Sequence, residues 1–401
     1  MRKAITKEDL IPLSISALAL GPCFNFYFND ILQYVYGGSS VSAIIYVLMA
    51  LIGVRSYSFL LRKNKSNKAV KNTIMIVLVL MLFSFLIHPS IGDILIAPDL
   101  NPLKSIALFL LFYGFPLMIY CSMDINWDLV LWYLFLFSIV VIFLAGLDYI
   151  WVMLRISLDD VNYMSFSYNQ LLAASVCAVY GYNKRMLWPF IVSFYSLILI
   201  FLGGARGSLG ALLILYLLLF SYPFTARRIL IVIGLGLIIV LGGQFLLSSF
   251  LSSSADFINE IGGFSRTLYK ITEGDLFQSD SRDNLSVVLK NAIWDNPLGY
   301  GLLGDRYLFK QQGWTGYAHN IILELTCDFG WFLGPALFIW WITKIVKKLI
   351  EKKKQDSFFV FMAMLPVGCL MLFFSGSFVE EFIFWALLGL LYNKNVKSIN
   401  Y

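Results

Sequence analysis

Continuous apolar runs, each about as long as a bilayer-spanning helix, dominate this chain. A spanning helix needs about 20 mostly apolar residues, because the hydrocarbon core of a membrane is about 30 Å thick. The runs are rich in Leu, Ile and Phe without regular alternation, which excludes a transmembrane β-barrel. Hydrophobic residues make up 59% of the 401 residues, more than a soluble domain of this length can bury. The sequence therefore predicts an all-α integral membrane protein.

We count about twelve segments of near-spanning length, and therefore expect about twelve transmembrane helices. They cover residues 10–28, 41–61, 72–90, 102–121, 127–148, 165–182, 188–203, 206–222, 228–250, 320–345, 357–376 and 379–393. Segments 188–203 and 379–393 are short, so we expect them to tilt, to thin the bilayer locally or to be partly re-entrant.

The basic residues sort by loop and thereby predict the orientation of the chain. They cluster in the N-terminus, at 62–71, 184–185, 227–228 and 344–354, and in the C-terminal tail. With alternate threading these loops share one side of the membrane, and the positive-inside rule makes that side cytoplasmic, with both termini inside. The net charge of +6 therefore reflects membrane topology and does not predict a nucleic-acid partner. No small-residue cleavage site follows the first segment, so we expect no cleaved signal peptide.

The longest loop on the predicted exterior side, residues 251–318, separates the ninth and tenth segments. Loops of this length are usually functional or disordered. Its stretch "RDNLSVVLKNAIWDNPLG" predicts an amphipathic helix lying on the membrane face, ended by Pro297 and its neighbouring glycines. The apolar positions at helical spacing are Leu285, Val288, Leu289, Ala292 and Ile293. We expect one membrane domain, residues 1–401, in which 251–318 forms an extracytoplasmic lid with amphipathic helices.

Arg206 lies in "FLGGARGSLG", between two apolar segments at their predicted exterior junction. An arginine near hydrocarbon costs several kcal/mol unless it is paired or solvated. The flanking glycines let a large anion approach the backbone, and the following helix N-terminus adds partial positive charge. Arg206 is therefore either an anion ligand or an arginine that reaches lipid phosphates.

Arg282 lies at the start of the predicted lid helix, between Asp280 and Asp283. A second cation on the exterior side suits recognition of an anionic substrate. The alternative is an arginine that its acidic neighbours neutralise on a solvated surface.

His319, one of two histidines in the chain, follows an aromatic-rich stretch and precedes a long apolar segment. An unperturbed imidazole has a pKa near 6.5 and can act as a base at neutral pH. At a helix N-terminus the dipole favours its neutral form, and Asn320 is expected to be the N-cap. The alternative is an interfacial histidine packed among aromatic residues: Trp314, Tyr317 and Trp331. His88, in "LIHPSIGD", is interpreted as interfacial.

The threading places Arg206, Arg282 and His319 on the same exterior side. Two cations and one neutral base suit the transfer of a sugar from a lipid pyrophosphate. That leaving group needs cations and no general acid, while the acceptor hydroxyl needs one base. Attack from the far face of the anomeric carbon inverts it. Glycoside hydrolysis differs, because its poorer leaving group requires two carboxylates.

Three stretches resemble motifs of the bacterial O-antigen ligases and O-antigen or exopolysaccharide polymerases, which share a membrane fold. They are "GARGSLGALLILYLLL", "SRDNLSVVLKNAIWDNPLGYGLLGDRY" and "AHNIILELTCDFGWFLGPALF". The resemblance runs from 203 to 338, and the N-terminal half is similar only in hydropathy. Order, spacing and sidedness together carry the resemblance, because no single motif is very specific.

The resemblance implies a role for each site residue. Arg206 and Arg282 would bind the pyrophosphate of an undecaprenyl-pyrophosphate-linked oligosaccharide, and His319 would be the general base. Glu324 matches an acidic position of the family and would orient the base or a sugar. No metal or other cofactor is implied. The expected location is the bacterial cytoplasmic membrane with the site facing the periplasm, and a flippase and a chain-length regulator are the expected partners.

The acceptor separates the two branches of this superfamily: a ligase transfers glycan to lipid A–core, whereas a polymerase extends another lipid-linked repeat unit. The C-terminal stretch "FFSGSFVEEFIFWALLGLLYN" is more similar to the polymerases. We therefore expect an O-antigen, capsule or exopolysaccharide polymerase, with the ligase as the alternative. Glu380 and Glu381, with Asp159 and Asp160, are either acceptor-recognition residues or solvated loop acids.

Two further classes of protein compete with this interpretation. A metal-dependent transferase acting on lipid-phosphate monosaccharides would place an acidic pair in an early exterior loop, where "FND" offers only Asp30. A lipid-linked oligosaccharide flippase would line a route across the membrane with charged residues, for which Arg55 and Asp148 are the main candidates. The five cysteines are isolated and lack metal-site spacing, so we expect reduced, buried thiols.

Overall fold

The computed structural model describes residues 10–36, 40–60, 65–95, 105–150, 163–223, 280–314, 316–351 and 357–393. Within these ranges, the side chains of residues 33–36, 40–43, 65–67, 94, 163 and 280–284 are outside the description. The described residues are largely helical and contain no β-strand, which confirms the predicted all-α class.

The helices are numbered here in chain order. They are α1 (Leu10–Tyr36), α2 (Ser40–Leu60), α3 (Lys65–Ile87), α4 (Gly92–Leu95), α5 (Ile106–Phe109), α6 (Phe115–Cys121), α7 (Trp127–Asp148), α8 (Tyr163–Lys184), α9 (Leu187–Gly203), α10 (Arg206–Ser221), α11 (Asp280–Asp295), α12 (Gly304–Gln311), α13 (Ile321–Ile350), α14 (Phe358–Gly368) and α15 (Phe382–Tyr392). Short 3₁₀ turns lie at Pro89–Ile91 and Leu370–Phe373, and a π-helical turn at Leu110–Gly114 joins α5 to α6.

A helix lies at every predicted apolar segment except 228–250, which is outside the described residues. By length and composition, four stretches in the described part can cross a membrane: Leu10–Leu32, Lys68–Ile87, Trp127–Asp148 and Ile321–Ile350. The chain is an integral membrane protein. The count of about twelve crossings stays a prediction.

Helix α8 is the centre of the bundle. Between Leu171 and Val179 its side chains are buried on every face, as expected for a helix enclosed by other helices. It packs against α1, α7, α9, α10 and α14. By contrast, α2 and α3 expose large apolar side chains, including Leu51, Leu82 and Leu86. Such exposed apolar faces suit contact with lipid.

Contacts between connecting segments mark the two ends of the bundle. At one end, Asn393 Nδ2 donates to the Met123 carbonyl at 2.7 Å. At the other, Lys310 Nζ pairs with Asp93 Oδ2 at 2.6 Å. We call this second end the lid end. It comprises residues 88–95, 204–206, 280–314, 316–320 and 374–381.

The amphipathic helix predicted in the lid is present as α11, which ends two residues before Pro297. Its apolar face is covered by protein, because Leu289 and Ile293 are buried in a cluster with Phe309 and Cys327. The helix is therefore docked on α12 and α13, which replaces the expectation of a helix lying on the membrane face.

Helix α13 is broken at Gly330. Its φ of 78° and ψ of 179° fall in a region that essentially only glycine occupies. A break in a helix frees backbone groups that need new hydrogen-bond partners, and at membrane depth each unsatisfied group costs several kcal/mol.

Residues 297–301 supply those partners by inserting into the break. The positive φ values of Gly299 and Gly301 allow the segment to turn within this space. The three backbone bonds run from Tyr300 N to Cys327 O, from Gly301 N to Asp328 O and from Trp331 N to Pro297 O, each 2.9 Å long. The "NPLGYG" stretch therefore makes the backbone hydrogen bonds that the broken helix cannot make within itself.

Gly330→Ala should destabilise the protein. A Cβ at this position would overlap the backbone of Pro297 and Leu298, and the required backbone conformation costs a non-glycine residue about 1–3 kcal/mol. We expect the Tm in detergent to fall by roughly 3 °C or more. Gly210→Ala, which faces open space in α10, is the matched control and should leave Tm almost unchanged. An unchanged Tm for Gly330→Ala would contradict the insertion of 297–301.

Candidate functional site

His319 lies immediately before α13 in a left-handed backbone conformation. Its φ is 53°, which costs a residue with a side chain about 1–2 kcal/mol. Asn320 is the N-cap predicted from the sequence, and its Oδ1 accepts from Ile322 N at 2.9 Å. On the other side, Ala318 N donates to Asp305 Oδ2 at 2.9 Å. The backbone of the histidine is therefore fixed from both sides.

The half-buried His319 ring contacts Tyr317 and Ser375. Nδ1 lies 3.5 Å from Ser375 Oγ, and the ring centroids of His319 and Tyr317 are 4.2 Å apart. The Tyr317 hydroxyl donates to the Ser375 carbonyl at 3.3 Å. Burial, followed by the nearby Glu380 carboxylate, raises the pKa of Tyr317, so the phenol stays protonated as a donor. The histidine thus faces a polar loop from the C-terminal part of the chain.

Arg206 is exposed at the first residue of α10. The sharp turn before it is made by Gly204, which ends α9 with a φ of 81°. The first turn of α10 packs against residues 371–374: a Cβ on Gly207 would lie 3.0 Å from Phe374 Cβ. Because His319 contacts Ser375, the starts of α10 and α13 flank the same segment, 371–375. The structure therefore brings Arg206 and His319 to one region of the lid end.

Arg282 lies in the first turn of α11, and its side chain is outside the described residues, as are those of Asp280 and Asp283. The other end of α11 is anchored on α13, because Trp331 Nε1 donates to the Ile293 carbonyl at 2.8 Å. The helix that carries Arg282 is thus part of the lid end, and the role of Arg282 stays a prediction.

A buried network centred on Arg306 joins three segments of the chain. The guanidinium, in α12, pairs with Asp305 at 3.1 Å, with Glu324 of α13 at 3.4 Å and with Glu380 at 2.9 Å. It also donates to Ser377 Oγ at 2.7 Å. Arg306 is only 3% exposed, so these bonds replace the water that a guanidinium otherwise binds.

The charge balance of this network separates Arg306 from Arg206. Burial alone would lower the pKa of Arg306, but the carboxylates of Asp305, Glu380 and Glu324 raise this pKa. Arg306 therefore stays charged. Three acidic groups surround one cation, an environment that disfavours a further anion. Arg306 is therefore suited to a structural role, whereas Arg206 lies exposed at the start of α10.

Glu324 is completely buried within the network. Its carboxylate accepts from the Ser377 hydroxyl and, at 3.2 Å, from Phe378 N, besides pairing with Arg306. The family resemblance implies that Glu324 orients the base or a sugar. In the structure its described contacts join α13 to the loop at residues 375–381.

The two adjacent acidic residues of this loop have different environments. Glu381 caps α15, since its Oε1 accepts from Ile383 N at 3.2 Å. The Glu380 side chain is 42% exposed while Arg306 holds its Oε1. Asp159 and Asp160, grouped with them in the sequence analysis, lie outside the described residues.

Sequence reasoning missed Asp305, Arg306 and Ser375 as parts of this site. Asp305 and Arg306 lie within the quoted "LLGDRY", and an Asp-Arg pair at the start of a short helix is a weak signal for burial. Ser375 belongs to the noted "SGS", but its contact with His319 joins positions 56 residues apart. Periodicity does not reveal such long-range contacts.

The described residues contain no group of three or more His, Cys, Asp or Glu side chains that could hold a metal ion. All five cysteines are buried and free, which confirms that sequence prediction.

Comparison with known proteins finds a match to one family model. Residues 191–339 match the family model described as O-antigen ligase, which confirms the resemblance to the O-antigen ligase and polymerase superfamily. Members of this family are membrane glycosyltransferase-like enzymes. No curated protein and no solved structure matches the chain. The matched region contains Arg206, Arg282, His319 and Glu324.

Proposed function

We propose that this membrane protein is a polysaccharide polymerase. It transfers a glycan from an undecaprenyl-pyrophosphate donor to the terminal sugar hydroxyl of another lipid-linked repeat unit, with inversion and without a metal ion. One observation carries the proposal: the N-termini of α10 and α13, with Arg206 and His319, flank the segment 371–375. The match of residues 191–339 to a glycan-transferring family supports the same chemistry.

The donor pyrophosphate binds at the start of α10. Arg206 presents a guanidinium that can hold two phosphate oxygens at once, and the dipole of α10 adds partial positive charge. Gly207 lets the first turn of α10 pack closely against Phe374. Arg282, from the start of α11, supplies the second cation. As the anomeric C–O bond breaks, negative charge develops on the pyrophosphate, and both cations stabilise it.

His319 is the general base. The proposal requires the neutral ring with its proton on Nδ1, donated to Ser375 Oγ, so that Nε2 accepts the proton of the acceptor hydroxyl. The acceptor oxygen then attacks the anomeric carbon from the face opposite the pyrophosphate. A new C–O bond forms, the donor C–O bond breaks with its electrons passing to the lipid pyrophosphate, and His319 holds the released proton. The anomeric centre is inverted.

Glu380 and Tyr317 form the acceptor side of the site. Arg306 fixes one oxygen of the Glu380 carboxylate, while the exposed part of the side chain can accept hydrogen bonds from sugar hydroxyls. The Tyr317 ring, next to His319, offers an aromatic face for the sugar. Glu324 supports this arrangement through Ser377.

A ligase is the second candidate function, because the matching family is described as O-antigen ligase. The donor and the base would be unchanged, and lipid A–core would replace the second repeat unit. A flippase has less support. It needs charged side chains along an internal route, and its two candidate residues are divided: Arg55 is exposed on α2, whereas Asp148 is buried at the end of α7.

The proposed location is the bacterial cytoplasmic membrane, with the lid end facing the periplasm and both termini in the cytoplasm. Basic residues support this orientation, since Lys184, Lys344 and Lys347 lie at or near the opposite end of the bundle. A flippase that delivers repeat units and a chain-length regulator are the proposed partners.

His319→Gln should abolish transfer while the protein still inserts and folds, because glutamine cannot accept a proton at neutral pH. His88→Gln removes the other histidine and should retain activity within about threefold. The measurement uses purified protein and a synthetic lipid-pyrophosphate oligosaccharide as donor and acceptor. Lengthened lipid-linked glycan supports a polymerase, and transfer to added lipid A–core alone supports a ligase. Full activity of His319→Gln would remove the base assignment.

Arg206→Lys in the same assay should lower transfer by about 100-fold, since an ammonium cannot reproduce the two-pronged guanidinium contact. Arg185→Lys, at an exposed position near the opposite end, is the matched control and should retain activity. Wild-type turnover by Arg206→Lys would contradict the role of Arg206 in binding the pyrophosphate.

Glu380→Gln should raise the KM for the acceptor by about tenfold with a smaller effect on the donor KM, because a charged hydrogen-bond acceptor is lost. Glu381→Gln is the matched control, because the glutamine side chain retains an oxygen that can cap α15. This variant should behave like wild type. Equal acceptor KM values for Glu380→Gln and wild type would exclude Glu380 from acceptor binding.

Gln312→Cys should react with a membrane-impermeant maleimide added to intact spheroplasts, and Asp124→Cys should react only after the membrane is permeabilised. Both positions are exposed, one at the lid end and one at the opposite end, and the native cysteines are buried. The reverse labelling pattern would place the lid end in the cytoplasm and contradict the proposed orientation.

A further inference from the structure

The backbone conformation of His319 needs support from outside its own segment. A left-handed residue other than glycine persists only where its surroundings fix it. The Asn320 cap fixes the residue after His319, but it belongs to the same short stretch of chain. The support on the other side comes from Asp305, whose Oδ2 accepts from Ala318 N at 2.9 Å.

Asp305 is itself held rigidly. Its Oδ1 accepts from the backbone N–H of Arg306 at 2.8 Å and from Arg306 Nη1 at 3.1 Å, so the carboxylate bridges the guanidinium and the Ala318 N–H. Asp305 is fully buried. A hydrogen bond between a charged acceptor and a backbone N–H is stronger than one between neutral groups.

Arg306 is in turn anchored from two other segments. Arg306 donates to the Glu380 carboxylate from Nε at 3.3 Å and from Nη2 at 2.9 Å. Its Nη2 also donates to the Ser377 hydroxyl at 2.7 Å. The Glu324 carboxylate of α13 accepts a hydrogen bond from Arg306 Nη1 at 3.4 Å. The planar guanidinium thus relates α12, α13 and the loop 375–381 to one another in a fixed geometry.

We infer that Asp305 and Arg306 are positioning residues that hold His319 in its left-handed conformation. This inference rests on the proposed function for its catalytic consequence, because the position of His319 matters to transfer only if His319 is the base. We call the bonds from Arg306 to Asp305 and from the Ala318 N–H to Asp305 the clamp, and the clamp itself is a property of the fold. Neither residue touches the donor in this account, since three carboxylates around Arg306 disfavour a pyrophosphate there.

The test compares wild type with Asp305→Ala and Arg306→Lys in detergent-solubilised full-length protein. Asp305→Ala removes the acceptor of the Ala318 N–H. Arg306→Lys keeps the positive charge but cannot bond Asp305, Glu380 and Ser377 together. Lys310→Gln is the matched control, because it changes only exposed contacts of α12: the ion pair with Asp93 and the hydrogen bond to the Ser90 carbonyl.

Two histidines in one chain provide an internal reference for the clamp. Diethylpyrocarbonate modifies accessible neutral imidazoles, and peptide mass spectrometry separates the rate at His319 from the rate at His88. His88 stacks on Tyr307 of α12 with ring centroids 3.9 Å apart, so its rate reports whether α12 has come loose. In both clamp variants we expect the His319 rate to rise about fivefold and the His88 rate to change less than about twofold, because only the clamp opens.

Transfer kinetics supply the second readout. Misplacing a catalytic group by about 1 Å can cost 100-fold in rate. We expect kcat to fall by about 10- to 100-fold in Asp305→Ala, with KM values within about threefold of wild type and a smaller loss in Arg306→Lys. Lys310→Gln should match wild type in every measurement.

The outcomes separate this inference from the proposed function. A parallel rise at both histidines would show general loosening of the lid and overturn the clamp, as would unchanged rates at both. A selective rise at His319 with unchanged kcat would sustain the clamp and overturn its catalytic consequence. If wild type transfers no glycan, the proposed function fails while the modification rates still decide the clamp.

Discussion

The structure of the lid end depends on how the break in α13 is satisfied. A membrane helix can be interrupted only where other groups bond its freed backbone, and here residues 297–301 supply those bonds. The same contact fixes the lid, because the chain on either side of it continues into α11 and α12. Asp328 strengthens the attachment: its carboxylate accepts from Leu303 N at 3.2 Å and from Gly304 N at 2.9 Å at the start of α12.

Once α12 is attached to α13 in this way, the chemistry of the site follows from charge. Arg306 is surrounded by carboxylates, so its positive charge is balanced within the protein. Arg206 is exposed at the start of α10, and the proposed function assigns it the pyrophosphate. In the proposed function, His319 and Ser375 deprotonate a sugar hydroxyl beside the bound pyrophosphate. A division between structural and substrate-binding cations accounts for a site that contains many acids yet is proposed to bind a pyrophosphate.

The sequence predicted local features well and long-range contacts poorly. Apolar runs of spanning length located the helices, and the apolar spacing in "NLSVVLKNAI" predicted α11. The Asn320 cap was also predictable, because capping depends on residues close in sequence. The insertion of "NPLGYG" into α13 was not predictable, since glycines indicate a turn but not its partner. The Arg306 network escaped notice for a related reason: it joins Asp305, Glu324 and Glu380, which no periodic pattern connects.

The most direct test of the account is an experimental structure with a non-transferable donor, a lipid-pyrophosphate oligosaccharide whose anomeric oxygen is replaced by a methylene group. The account predicts pyrophosphate oxygens within about 3.5 Å of the Arg206 guanidinium and an anomeric carbon whose open face is turned toward His319. A donor bound at the opposite end of the bundle would contradict it. A donor whose anomeric carbon lies too far from His319 would also contradict the account, because one acceptor hydroxyl could not then contact both the anomeric carbon and His319.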